Sequence, residues 1–127
     1  MAMAIKTILV EDSERIRASL IPTMKELANL EVVAVAETQL DAKSAMEQNA
    51  ASWQLIVIDM FLREGSGLGV LRECSNRLPH QTALVLTNYP TPEIRDRCAE
   101  FGADGVFDKS TELDEFFERC LAISDQL

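Results

Sequence analysis

Apolar runs of strand length alternate along the chain with longer stretches in which apolar residues recur every three or four positions. Residues 5–10 (IKTILV) read as a first strand. From Ser13 to about Ala28, Ile16, Leu20, Met24 and Leu27 form a helical stripe, and Pro22 inside it predicts a kink or a later helix start. Residues 31–36 (EVVAVA) make a second strand, after which Thr38 opens a capped helix to about Ala51. Residues 54–58 (QLIVI) are the most apolar strand. The loop 63–67 (REGSG) then leads into a helix through about Asn76, with Leu68 and Leu71 on one face. Residues 82–86 (TALVL) form a fourth strand. Thr91-Pro92-Glu93 starts a helix whose stripe is Ile94, Cys98 and Phe101, and Gly102 stops it. Residues 105–107 are a short fifth strand. Ser110 or Thr111 is expected to cap a last helix with Leu113, Phe116, Phe117, Cys120 and Leu121 on one side.

Five strand–helix pairs result. Strands that are continuous apolar runs are buried on both faces, as in a parallel sheet. Right-handed crossovers then place helices on both sheet faces, giving a three-layer α/β sandwich. At 127 residues the chain, 1–127, reads as one domain. No run approaches the ~20 apolar residues of a membrane span. The first ten residues do not read as a signal peptide. Twelve basic against 21 acidic residues give a formal charge of −9, which argues against direct nucleic-acid binding and against an anionic membrane surface. Cys74, Cys98 and Cys120 are odd in number and widely spaced, so neither a zinc site nor a disulfide frame is expected. Reduced thiols in a cytoplasmic protein fit best, with Cys98 and Cys120 as small core residues.

In an open α/β sheet, ligands bind beyond the carboxyl ends of the strands, where the strand order reverses. In the order 2-1-3-4-5, the first and third strands are neighbours at that point. Glu11 and Asp12 follow the first strand and Asp59 the third; Thr87 ends the fourth, and the fifth runs into Lys109. The second, followed by Glu37 and Thr38, adds nothing obvious. Each residue alone has a bland reading as a cap, a strand former or solvated surface. Jointly, four of five strand ends carry complementary chemistry in one order.

Three carboxylates packed together repel one another, and Lys109 supplies only one compensating charge. An oxygen-only donor set points to a hard divalent cation, Mg²⁺ with retained waters, completed by phosphate oxygens. A carboxylate can also act as a nucleophile and form an aspartyl-phosphate. Thr87 and Lys109 would then each hold a phosphoryl oxygen, which is most of what phosphoryl transfer requires.

These residues are where the chain resembles a bacterial response-regulator receiver domain of the chemotaxis-regulator type, along essentially its whole length. The likeness rests on I-L-V-E-D-S from Ile8, V-I-D-M from Val57, G-S-G-L from Gly65, L-V-L-T from Leu84 and F-G-A-D-G-V-F-D-K ending at Lys109. The resemblance implies a flavodoxin-like fold and a signalling switch rather than an enzyme. Asp59 would be the phosphoacceptor, taking a phosphoryl group from a sensor histidine kinase or a histidine phosphotransfer protein. Glu11, Asp12, Asp59 and the backbone carbonyl of Phe61 would hold Mg²⁺. Thr87 would be the switch hydroxyl, with Lys109 paired to the phosphoryl group. Output would run by contact with a downstream protein through the fourth helix, fifth strand and fifth helix, with a homodimer through those helices left open.

Several positions depart from the family pattern. Ser110 and Arg63 stand where proline is common, which disfavours a cis bond after Lys109 and loosens the loop after Asp59. Val106 stands where an aromatic is usual, and the adjacent Phe107 should face the other side of the sheet. Phe61 and Tyr89, each two residues past a site residue, are expected to shield a phosphoaspartate from water. Three other readings are weaker. An aspartyl-phosphate phosphatase would need an acid where Phe61 stands. A flavin-binding protein would need a phosphate loop where Glu11 and Asp12 stand. A degenerate receiver would have lost part of the acidic set. A receiver cut from a larger regulator or hybrid kinase is the remaining alternative. His80, the only histidine, reads as surface.

Overall fold

The computed structural model describes residues 3–126. Five strands, β1 (Ile5–Val10), β2 (Leu30–Ala36), β3 (Leu55–Ile58), β4 (Thr82–Thr87) and β5 (Gly105–Asp108), alternate with five helices. The helices are α1 (Glu14–Ala28), α2 (Gln39–Asn49), α3 (Gly67–Glu73), α4 (Pro92–Glu100) and α5 (Leu113–Asp125). All strand pairs are parallel and the order is β2-β1-β3-β4-β5, as the pattern predicts.

Two apolar clusters sandwich the sheet. On one face Ile8, Val10, Ile56, Ile58 and Val85 meet Ala42 and Ala45 of α2, Val70 and Leu71 of α3, and Cys98 of α4. On the other, Ile5, Leu9, Val57 and Leu84 meet Met24 and Ala28 of α1 and Phe116, Phe117, Cys120 and Ile123 of α5. The side-chain period of two is what sends alternate residues of β1 into different clusters. Four helices begin on a hydroxyl cap. Ser13, Thr38, Ser66 and Thr91 accept the N–H of Ile16, Asp41, Gly69 and Ile94 at 3.0–3.2 Å.

The structure departs from the sequence reading at several points. Helix α1 runs unbroken through Pro22 and does not start later. Pro22 and Ala18 are both exposed, so water can serve the carbonyl that a proline nitrogen cannot. Neither Ser110 nor Thr111 caps α5; its N-cap is Glu112, without a side-chain bond. Asp108 takes the polar role instead, its Oδ1 accepting the N–H groups of Ser110 (2.7 Å) and Thr111 (3.3 Å). Leu27 and Leu121 are exposed, and Ala28 and Ile123 hold the buried positions. Strand β2 is not a doubly buried run. It is an edge strand with Val33 and Val35 exposed, and its pairing with β1 skips Val33, a bulge between Thr7 and Ile8.

Two expectations about β5 hold. Val106 packs with the α2–α4 cluster, while Phe107 turns to the α1–α5 face, its ring 5.7 Å from that of Phe116. The peptide bond after Lys109 is trans, like every other among the described residues. Cys74, Cys98 and Cys120 are free and buried, and burial pushes the Cys120 thiol up to about 12.

Candidate functional site

The strand ladders continue one residue past their ends and fix where the polar residues stand. Glu11 donates its N–H to Ala36 O (2.9 Å), Asp59 to Val10 O (3.0 Å) and Lys109 to Thr87 O (2.9 Å). Since Ile58 pairs with Val85, Thr87 lies two steps further along the same edge. The five residues singled out by sequence therefore all sit at the carboxyl edge of the sheet, around the junction of β1 and β3.

Carboxylate oxygens of Glu11, Asp12 and Asp59 lie within 4.8 Å of one another. Glu11 is 2% exposed. Its Oε2 accepts the N–H of Ser13 (3.1 Å), and its carbonyl accepts from Arg17 (2.8 Å). The Lys109 ammonium is paired with Glu11 Oε1 and stands 3.5 Å from Asp59 Oδ2. Burial pushes the Asp59 carboxyl up to about 6, and the Glu11 charge adds to the rise. Lys109 and the N–H of Phe61 pull against it without cancelling it. One lysine thus under-compensates three acids. That residual repulsion and the all-oxygen donor set fit a hard divalent cation.

The Thr87 side chain is fully buried, and its Oγ1 accepts the N–H of Tyr89 at 3.3 Å. Tyr89 and Phe61 project to solvent beside it, 64% and 56% exposed, their rings edge-to-face at 5.6 Å. Glu37, at the end of β2, does not join the acidic cluster. Its carboxylate lies 3.8 Å from Arg17 and 3.9 Å from Arg63, a partly exposed network at the rim. His80 is exposed, its Nε2 3.1 Å from Ala51 O.

Sequence reasoning overlooked the backbone support of this edge. A methyl group on Gly67 would lie 2.5 Å from the carbonyl oxygen of Asp59 and 2.7 Å from Met60 Cα. Neither is a flexible side chain that can move aside. Gly67→Ala should cost about 2 kcal/mol, the scale of overpacking a tight site, measured by urea unfolding. The strain falls on the backbone of Asp59 and Met60. Gln39 was overlooked too. It is a polar residue on the first turn of a helix, and nothing in its spacing signals a role.

A doubly wound parallel sheet with an acidic cluster at its switch point puts the candidate site where open α/β sheets bind their ligands. The response regulator receiver domain profile matches residues 7–121, and the chain belongs to that family. The chain is 30% identical over 101 residues to the DNA-binding transcriptional activator DevR/DosR of Mycobacterium tuberculosis. That match covers 80% of this chain and 46% of the relative, so it spans about half the relative's length. Among solved structures, a two-component response regulator of the LuxR family from Aurantimonas sp. superposes with TM-score 0.84 at 20% identity, over 97% of this chain and 86% of that one. The CheX-CheY-BeF3-Mg+2 complex from Borrelia burgdorferi gives 0.82 at 11% identity, over 95% and 90%. At such identities these two show the shared fold. Receiver domains of response regulators serve phosphorylation-dependent two-component signalling and are in general switches rather than classical enzymes. Among the described residues no helix is long and apolar enough to cross a membrane.

Proposed function

We propose that residues 1–127 act as one receiver unit in which Asp59 is the phosphoacceptor. The observation that carries this reading is the meeting of Glu11, Asp12 and Asp59 with Lys109 at one sheet edge. A carboxylate oxygen of Asp59 attacks the phosphorus of a phosphohistidine on a sensor kinase or phosphotransfer protein. The P–N bond breaks, and its electron pair stays on the imidazole nitrogen. Glu11, Asp12, Asp59 and the carbonyl of Phe61 would hold Mg²⁺, which supplies charge compensation to the phosphoryl oxygens when bound. Lys109 stands close enough to Asp59 to neutralise the transferred group, and the buried Thr87 hydroxyl at the same sheet edge would be the switch donor. Incubation with Mg²⁺ and a small acyl phosphate should add one phosphoryl group by intact mass; no addition overturns the reading.

The paired rings of Phe61 and Tyr89, two residues past Asp59 and Thr87, would limit access of water to a phosphoaspartate. Self-dephosphorylation is therefore slow. Replacing both aromatics by alanine should speed loss of phosphate about tenfold, a barrier change of about 1.4 kcal/mol. A half-life unchanged in the double variant, followed by intact mass, rejects the shield.

Output by protein contact through α4, β5 and α5 is the first reading. Arg95 of α4 ties that face together, bonding Val106 O (2.9 Å), Pro90 O (3.2 Å) and Glu112 Oε1 (2.7 Å). Helix α4 is thereby joined to both neighbours of the site, the loop after Thr87 and the turn after Lys109. The coverage of the DNA-binding relative favours a second reading of the output, a receiver governing a DNA-binding segment of a longer chain. The full coding sequence decides between them.

A further inference from the structure

The family resemblance implies a loosened loop after Asp59, with Arg63 in place of proline, yet the structure holds it from outside. The loop closes on itself where Phe61 bridges Ser66 and where the N–H of Gly67 meets Met60 O at 3.0 Å. Two further hydrogen bonds tie it to α2, and both belong to Gln39. The Gln39 N–H donates to Glu64 O (3.1 Å), and its side-chain Oε1 accepts the N–H of Ser66 (3.1 Å). Two glycines leave room for that side chain. A methyl on Gly65 would come within 2.7 Å of Gln39 Oε1, and one on Gly69 within 2.5 Å of its Nε2. Gln39 is therefore wedged between the loop and the first turn of α3, and the alternation of glycine at 65, 67 and 69 has two causes. Gly67 clears the Asp59 backbone, and its two neighbours clear Gln39.

The same loop presents Phe61, two residues past Asp59 and bridged to Ser66. We propose that Gln39 is a positioning residue for phosphoryl acceptance. By fixing Glu64 and Ser66 it sets where the Phe61 backbone stands against Asp59, and so how well the acidic edge takes metal and phosphoryl oxygen. It touches neither. Partners one step removed from a metal ligand govern its orientation in just this way. The ion pair from Glu37 to Arg63 cannot substitute, since Arg63 is 63% exposed and the separation is 3.9 Å.

This inference rests on Asp59 being the acceptor. Its test uses two readouts on the whole chain: the Mg²⁺ concentration that gives half the maximal rise in melting temperature, and the rate of phosphoryl uptake at saturating Mg²⁺. Gln39→Met keeps the length and loses the acceptor. It should raise the half-saturating Mg²⁺ about tenfold and slow uptake by a similar factor. Gln39→Glu keeps an oxygen acceptor and should restore both to within about threefold of wild type. Gly69→Ala displaces the glutamine from the other side and should reproduce the loss. Cys120→Ala, buried on the opposite face of the sheet, lowers melting temperature and should leave both readouts unchanged. The proposal is overturned if Gln39→Met melts lower but binds Mg²⁺ and takes phosphate as wild type does. It is equally overturned if Gln39→Glu restores neither readout. A wild-type chain that does neither would overturn the reading of Asp59 itself, and this inference with it.

Discussion

Asp59→Asn protein, incubated with Mg²⁺ and an acyl phosphate, should show no added mass while wild type gains one phosphoryl group. The amide is nearly isosteric with the carboxylate but has no anionic oxygen to attack phosphorus. The loss should be complete rather than partial. Of the two neighbouring carboxylates, Glu11 and Asp12, Glu11 is paired with Lys109 and bonded to the Ser13 N–H, so it is a poor replacement nucleophile. The variant should stay folded, because the substitution removes a buried charge that the site under-compensates. Full phosphorylation of Asp59→Asn would place the acceptor elsewhere.

The second large effect is on stability, and its sign is unusual for an acidic protein. Burial raises Asp59 from 3.8 to about 6, so the folded state binds its proton more tightly than the unfolded chain does. Stability from the neutral form is fully present below 3.8 and is lost as pH rises through about 6. Chelated protein should accordingly become more stable as pH falls, by on the order of 1 kcal/mol between pH 7 and 5. Glu112, held below 4.5 by Arg95, works the other way, but its stabilisation is lost only at lower pH. Mg²⁺ flattens the trend, since it competes with the proton for the ionised carboxylates. At ten times its dissociation constant it adds about 1.4 kcal/mol at pH 7, or roughly 5 °C in melting temperature. Thermal unfolding at pH 5 and 7, with chelator and with Mg²⁺, measures both effects. A chelated wild type that loses stability from pH 7 to 5, or an Asp59→Asn variant with the same slope as wild type, would contradict the assignment.

The order of the sheet and the place of the polar residues were legible because both follow from local periodicity plus one topological rule. Continuous apolar runs mark the strands, and whatever follows β1, β3, β4 and β5 must gather at one edge. What was not legible depends on contacts between distant segments. The exposure of Leu121 and burial of Ile123 turn on the exact setting of α5 against α1, which a helical stripe leaves ambiguous by one position. The cap of α5 was misplaced because Asp108, still in β5, bonds the turn before Ser110 or Thr111 can cap. Gln39 was invisible since its partners, Ser66 and Glu64, lie some 25 residues further along the chain.

The skipped residue at Val33 bears on how the molecule behaves in company. A straight outer strand would offer a regular row of amide and carbonyl groups, on which another sheet could grow. Here the spacing of that row is broken at its middle, so a second copy approaching along β2 cannot satisfy both halves at once. The fold thereby leaves two valines in water without turning its outermost strand into a template for aggregation.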